Sequence, residues 1–328
     1  IADPGKASST RKAEGRRRYL LRQKNTAAMA KPTDTTISPS RTMDTRISPS
    51  STMDEDFHRS LVEEILPRTP KRQLRASSAN HTLMVRADGT VMAHGCSSLE
   101  EEGEYYLGHL GVGLEWGNAV GLTTCQLPGG CGEVVEVAAG KLHSLFLCRS
   151  GAVLSCGGGW EGALGHGSQA SASVPRPLLA LGEVTVQRIA AGNSHSLAVA
   201  EGGAVWSWGW GRHGQLGHGN ERSQMTPCRV TALAEEEVVQ VAGGATHSLV
   251  LTRGGRVFSF GRSHLGQCGH GTDASVLEPR CIAALEGMRV REVVASGDGA
   301  SAIVDEGTRY TWGASAAGLE VWLPQRSE

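Results

Sequence analysis

The sequence predicts an all-β fold, a β-propeller of four-stranded blades each about 52 residues long, behind a largely disordered basic tail. Three observations predict it. His143, His195 and His247 stand 52 residues apart, each opening an apolar stretch, and so do Gly157, Gly209, Gly261 and Gly313. Glycine is abundant, 44 residues in 328, and sits at positions locked to that period, where a chain must turn tightly. A period of this size, built from short strands and turns, marks repeating units that cannot bury their apolar faces alone.

The chain opens with residues 1–53, rich in Ser, Thr, Pro, Lys and Arg and poor in large apolar side chains, which predicts a disordered tail. Residues 1–80 hold 16 Lys or Arg against 9 Asp or Glu, whereas residues 81–328 hold 16 against 24. Arg16, Arg17, Arg18, Arg22 and Lys24 form a basic cluster that suits RNA, DNA, an acidic protein or anionic lipid, or is simply solvated. ISPSRTMD at 37–44 returns as ISPSSTMD at 47–54, a short duplication with two Ser-Pro pairs. Over 54–67, Phe57, Leu61 and Ile65 recur at i, i+4 and i+8, with Asp54 as N-cap and Pro67 as terminator. They predict a short amphipathic helix that docks on its own propeller or on a partner. Residues 68–75 read as a linker and 76–328 as the propeller.

Five units follow. The first is SSANHTLMVRADGTVMAHG, carrying His81 and Gly95. The next three are strong copies. In the third unit His195 opens a strand, Gly202 and Gly203 reverse the chain, and Ala204–Trp208 returns, with EVTVQRIAAG supplying an earlier strand. Trp206, Trp208 and Trp210 are expected in the core and between blades. Gly165, Gly217 and Gly269 close the loops that end the units. In the fifth unit, VASGDGASAIVDEGTRYTWGASAAG, Ala300 takes the histidine position. His81 and His143 are 62 residues apart, which places an acidic insertion at Ser97–Trp116. Its Glu100, Glu101, Glu102, Tyr105, Tyr106 and Trp116 are candidate partner contacts, because a loop on a rigid ring is where a specific contact is often placed.

These residues resemble the repeat of the regulator of chromosome condensation family. Ala190-Ala191-Gly192, His195-Ser196, Gly203, Trp208-Gly209 and Gly214-Gln215-Leu216-Gly217 match its pattern in one unit. Ala138-Ala139-Gly140, His143-Ser144, Gly151 and Leu164-Gly165 match it in the unit before, and Ala242-Gly243, His247-Ser248, Gly255 and Gly266-Gln267 in the unit after. The resemblance implies a ring that usually has seven blades; about five are visible, which suggests a longer protein or an incomplete chain. It also implies roles as varied as chromatin docking and guanine nucleotide exchange on a small GTPase, among which fold alone cannot choose.

No constellation reads as catalytic, cofactor-binding or metal-binding. Adjacent His and Ser on a strand point to opposite faces, which argues against a hydrolase. Each histidine is expected to hydrogen-bond backbone between blades, and His166, His218 and His270 lie one blade apart, too far to share an ion. The glycine loops lack the Lys-Ser or Lys-Thr of a phosphate cradle. Eight cysteines without repeat or ligand spacing suggest a reducing, intracellular setting, and no apolar run is long enough for a membrane helix. The expected function is a non-enzymatic interaction scaffold, a subunit of a larger assembly with protein partners. The alternatives are nucleotide exchange on a small GTPase and nucleic-acid or chromatin binding through the tail.

Overall fold

The computed structural model describes residues 75–96, 108–113, 118–305, 307–314 and 319–327, all within one compact unit, Pro70–Glu328. The basic cluster, the Phe57–Leu61–Ile65 helix, and Glu100, Glu101, Glu102, Tyr105, Tyr106 and Trp116 lie outside the described residues.

Among the described residues, twenty strands form five antiparallel four-stranded sheets, each in simple sequence order. Blade 1 is β1 (Arg75–Ser77), β2 (His81–Val85), β3 (Val91–Cys96) and β4 (Asn118–Thr124). Blade 2 is β5 (Val134–Ala139), β6 (His143–Cys148), β7 (Val153–Gly157) and β8 (Ala172–Pro177). Blade 3 is β9 (Val186–Ala191), β10 (His195–Ala200), β11 (Val205–Gly209) and β12 (Gln224–Arg229). Blade 4 is β13 (Val238–Gly243), β14 (His247–Thr252), β15 (Val257–Gly261) and β16 (Val276–Cys281). Blade 5 is β17 (Val290–Ser296), β18 (Gly299–Val304), β19 (Arg309–Ala314) and β20 (Glu320–Arg326).

The second strand of a blade reads as an apolar run rather than an alternation because both of its faces are covered. All six residues of β6, β10 and β14 are buried. Alternate side chains go to opposite neighbours. Phe146 and Cys148 pack in the layer shared with Leu83 and Val91 of blade 1, while Leu145 and Leu147 pack with Ala198 and Trp208 of blade 3. Four such layers lie between the five blades, the last joining Leu249 and Leu251 to Ala302 and Trp312. At about 25 cal/mol per Å² of apolar surface, these layers are the main favourable term holding blade to blade.

Two glycine positions explain the repeat's strictness. Gly157, Gly209 and Gly261 end their third strands, and Gly313 lies one residue before the end of its own, with φ of 109°, 96°, 114° and 84°. A Cβ on any of them would meet the carbonyl oxygen of the residue before the second strand at 2.3 to 2.6 Å. Gly165, Gly217 and Gly269, with φ of 78°, 75° and 73°, lie against Trp208, Phe260 and Trp312 of the following blade, with only 2.9 to 3.0 Å to spare for a Cβ. Each blade's closing loop is thereby laid flat on the next blade.

Register corrects one sequence expectation. Gly299 pairs with Gly313 as His247 pairs with Gly261, and Ala300 pairs with Trp312 as Ser248 pairs with Phe260. The fifth unit therefore has Gly299 at the histidine position and Ala300 at the serine position. Within the segment expected to be an acidic insertion, only residues 108–113 are described. Gly108, Leu110 and Gly111 form the loop close of blade 1, with His109 and Leu110 fully buried.

Candidate functional site

The histidines that open the second strands are the chain's most conspicuous polar residues, and the structure places each inside a joint between blades. His81 Nε2 lies 2.7 Å from Ser144 Oγ, His143 Nε2 2.9 Å from Ser196 Oγ, and His195 Nε2 3.0 Å from Ser248 Oγ. Each serine belongs to the next blade and donates back to the loop of the histidine's own blade. Ser144 donates to the His109 carbonyl at 2.5 Å, Ser196 to Ala163 at 2.9 Å, and Ser248 to Gln215 at 2.8 Å. A hydroxyl has one proton, so the histidine must donate Nε2–H to the serine oxygen. The expectation of histidine bonding directly to backbone is corrected: the serine hydroxyl relays the bond.

A second relay repeats inside each blade. Ser155, Ser207 and Ser259 donate to the carbonyls of Leu164, Leu216 and Cys268 at 2.8, 2.7 and 2.6 Å. They accept from His166, His218 and His270 at 3.0, 2.9 and 2.9 Å. These histidines therefore tie loops to their own blades.

Electrostatics follow burial. Desolvation, reinforced by neighbouring imidazoles, pushes His143 down to about 4 and His195 to about 3, and holds His81 well below the usual range. Burial pushes His247 to about 4, opposed by the Asp298 carboxylate. All four are neutral near pH 7. His247 differs from the others: it is fully buried and both ring nitrogens lack a hydrogen-bond partner, Nε2 because Ala300 has replaced the relaying serine.

The two ends of the blades carry different chemistry. At the end bearing the turns between second and third strands, most described cations are already paired, Arg86 of blade 1 being an exception. Arg149 Nε meets Glu133 at 2.7 Å, Arg253 Nε meets Glu237 at 2.5 Å, and Arg188 lies 4.0 Å from Glu136. In blade 5 the polarity is exchanged, with Arg289 3.8 Å from Asp305 and Arg291 bonded to the same carboxylate. Open clefts of about 570 and 540 Å³ lie among these residues, lined by strand backbone, Val135, Val186 and Val239. At the opposite, loop-bearing end stand Trp160, Trp210, Arg212, His213, Arg262 and His264. Trp208 is buried, as expected, and donates to the Ala163 carbonyl at 3.0 Å. Trp210 corrects the expectation of a core residue, for it is only half-buried and meets the His213 ring edge-on at 5.0 Å. Sequence reasoning missed this group because its members share no motif: they occupy loop positions that vary between units.

Of the 24 acidic residues in 81–328, Glu100, Glu101, Glu102, Glu104, Glu115, Glu306 and Glu328 lie outside the described residues, so the described blades are close to neutral. Among the described residues no group of His, Cys, Asp or Glu is arranged to hold a metal ion, and no helix is long and apolar enough to cross a membrane.

Comparison with known proteins points one way. A family model described as the RCC1-like domain matches residues 63–319. The chain is 37% identical over 182 residues to the ultraviolet-B receptor UVR8 of Arabidopsis thaliana, covering 55% of this chain and 41% of the receptor. It is 31% identical over 261 residues to the human E3 ubiquitin-protein ligase HERC2, covering 78% of this chain and 5% of the ligase. The chain thus spans less than half the length of these relatives. The fold is that of Prp20p from Saccharomyces cerevisiae, described with its binding to Gsp1p and histones, at a TM-score of 0.66 and 23% identity, covering 77% of this chain and 62% of that one.

Proposed function

The chain belongs to the RCC1-like domain family, and on that premise we propose that it is a non-enzymatic interaction platform, a subunit of a larger assembly with protein partners. The blades are the rigid surface and the basic tail, with Arg16, Arg17, Arg18, Arg22 and Lys24, is the anchor. The observation that carries this reading is the double histidine–serine relay. Of the repeated histidines that could suggest nucleophilic chemistry, His81, His143, His195, His166, His218 and His270 are engaged in joining blades or loops, and His247, which has no such bond, is fully buried and neutral. A general base must reach a substrate proton, and His81, His143, His195 and His247 are sealed from solvent. A reducing, intracellular setting is supported by Cys125, Cys148, Cys156 and Cys268, which are free and buried.

Guanine nucleotide exchange on a small GTPase is the second reading. What supports it is the family itself and the likeness in fold to Prp20p, which is described with its binding to Gsp1p. One experiment separates the two. The full chain and a chain lacking residues 1–74 are used as baits with chemical crosslinking and quantitative mass spectrometry, alongside release of labelled GDP from a panel of small GTPases. Stoichiometric partners without accelerated GDP release are the expected result. Accelerated release from one GTPase would replace the platform reading with exchange, and partners lost on removing the tail would place the anchor there.

A further inference from the structure

We infer that the loop-bearing end of blades 3 and 4 is a docking surface for a short acidic segment of a protein partner, held by Arg212 and Arg262 and packed against Trp210. This deepens the platform reading and rests on it.

Three observations carry the inference. The first is charge left open. On the turn-bearing end Arg149, Arg188, Arg253, Arg289 and Arg291 all have carboxylate partners within 4.0 Å. Arg212, which is exposed, and Arg262, half-buried, make no ion pair among the described residues. The nearby carboxylates do not fill that role: Glu161 accepts from Ser223 Oγ at 2.8 Å, and Asp298 accepts from Gln267 at 3.0 Å. The His213 ring feels Arg262 and His264, with Glu221 opposing, which places these groups around one patch.

The second is a tryptophan the fold does not need. Residue 210 corresponds, one period away, to Gly158 and Arg262. Neighbouring blades build this position without an aromatic ring, although blade 2 carries Trp160 two residues further along its loop, so no packing rule of the repeat demands one at 210. A half-exposed tryptophan beside arginines is the composition found at the energetic centre of protein interfaces. The third is a stiff mounting. Trp210 N–H donates to the Ser194 carbonyl and Arg262 N–H to the Thr246 carbonyl, both at 2.9 Å, and His213 N–H donates to Gln215 Oε1 at 2.9 Å. A surface ordered in advance loses less entropy on binding.

Carboxylates suit this patch because a guanidinium binds them through two parallel hydrogen bonds. The patch is also short. Glu161 and Glu221 lie beside it, so an extended polyanion such as RNA would run onto like charge. A brief acidic stretch with an apolar side chain for Trp210 would not.

The test uses a fluorescein-labelled octapeptide of alternating glutamate and aspartate around one phenylalanine. Its binding to the full chain is read by anisotropy, with an oligouridylate of equal charge as competitor. We expect saturable binding that weakens at least tenfold in R212E/R262E and severalfold in W210A. It should be unchanged in a control that exchanges the paired charges on the other end, R149E/E133R. Unaltered circular dichroism melts show that the variants are folded. Absent peptide binding, equal binding by R212E/R262E, or stronger competition by the oligouridylate than by unlabelled peptide each overturns the inference. If the peptide fails while stoichiometric partners still co-purify with the R212E/R262E chain, the docking patch is wrong and the platform stands.

Discussion

The substitution Ala300→Ser should stabilise the fourth joint, because it restores a missing part in an otherwise repeated device. At the joint between blades 2 and 3 the Ala163 carbonyl accepts two hydrogen bonds, from Ser196 Oγ at 2.9 Å and Trp208 Nε1 at 3.0 Å. At the joint between blades 4 and 5 the corresponding Gln267 carbonyl accepts Trp312 Nε1 at 2.9 Å and nothing from residue 300. His247, whose Nε2 would donate to that hydroxyl, is buried without a partner. A serine at 300 would accept from His247 and donate to Gln267, supplying both missing bonds at once. A net hydrogen bond contributes about 0.5–1.5 kcal/mol, and an unsatisfied buried group costs about 1–3 kcal/mol. Against these stands the cost of burying the new hydroxyl. The expected gain is about 1–2 kcal/mol, a rise in melting temperature of roughly 2–6 °C for a domain of this size. Calorimetry reads the global effect, and hydrogen exchange of the β17 and β18 amides reads the local one. A double-mutant cycle with His247→Phe isolates the coupling. The reasoning is refuted if Ala300→Ser destabilises, or if it stabilises equally when His247 is phenylalanine.

Acid should loosen the joints before it reaches the surface carboxylates. The unfolded chain takes up protons on its histidines below pH 6.5, while buried His143 and His247 resist until about 4 and His195 until about 3. Stability is therefore fully present above pH 6.5 and falls as pH drops from there toward 4, by up to about 1.4 kcal/mol per pH unit for each histidine; urea midpoints across pH 7.5–4.5 check it, and a flat profile would contradict the buried neutral state. Gly261→Ala should cost several kcal/mol, because its φ is 114° and the added Cβ would sit 2.5 Å from the Thr246 carbonyl oxygen. Gly202→Ala, with φ 79° and open space around it, should cost only about 1 kcal/mol, and parallel urea titrations give the ranking. Arg253→Ala removes an exposed ion pair with Glu237 and should shift stability by less than about 1 kcal/mol, with the difference vanishing in high salt.

What the sequence made legible was whatever the period repeats. Gly157, Gly209 and Gly261 announce themselves because a Cβ is forbidden at each, so a backbone constraint becomes a letter in the sequence. The histidines were equally visible, yet their partners were not, since the serine that receives His143 lies 53 residues downstream in another blade. Reading His-Ser as a local pair hides a bond that joins the His of one unit to the Ser of the next. Register shows that Ala300 stands where the serine should be, and the strict 52-residue spacing says the same, since it carries His247 to Gly299 and Ser248 to Ala300. The loop-bearing patch was the least legible, for the opposite reason. Gly158, Trp210 and Arg262 share one position in three successive blades and have nothing in common. A repeat fold needs uniformity where blades join and tolerates variety where loops face solvent, so the features that reveal the architecture are those least able to distinguish one partner from another. Specificity in such a chain has to reside in the departures from its own pattern, and Trp210 with Arg212 and Arg262 is such a departure among the described blades.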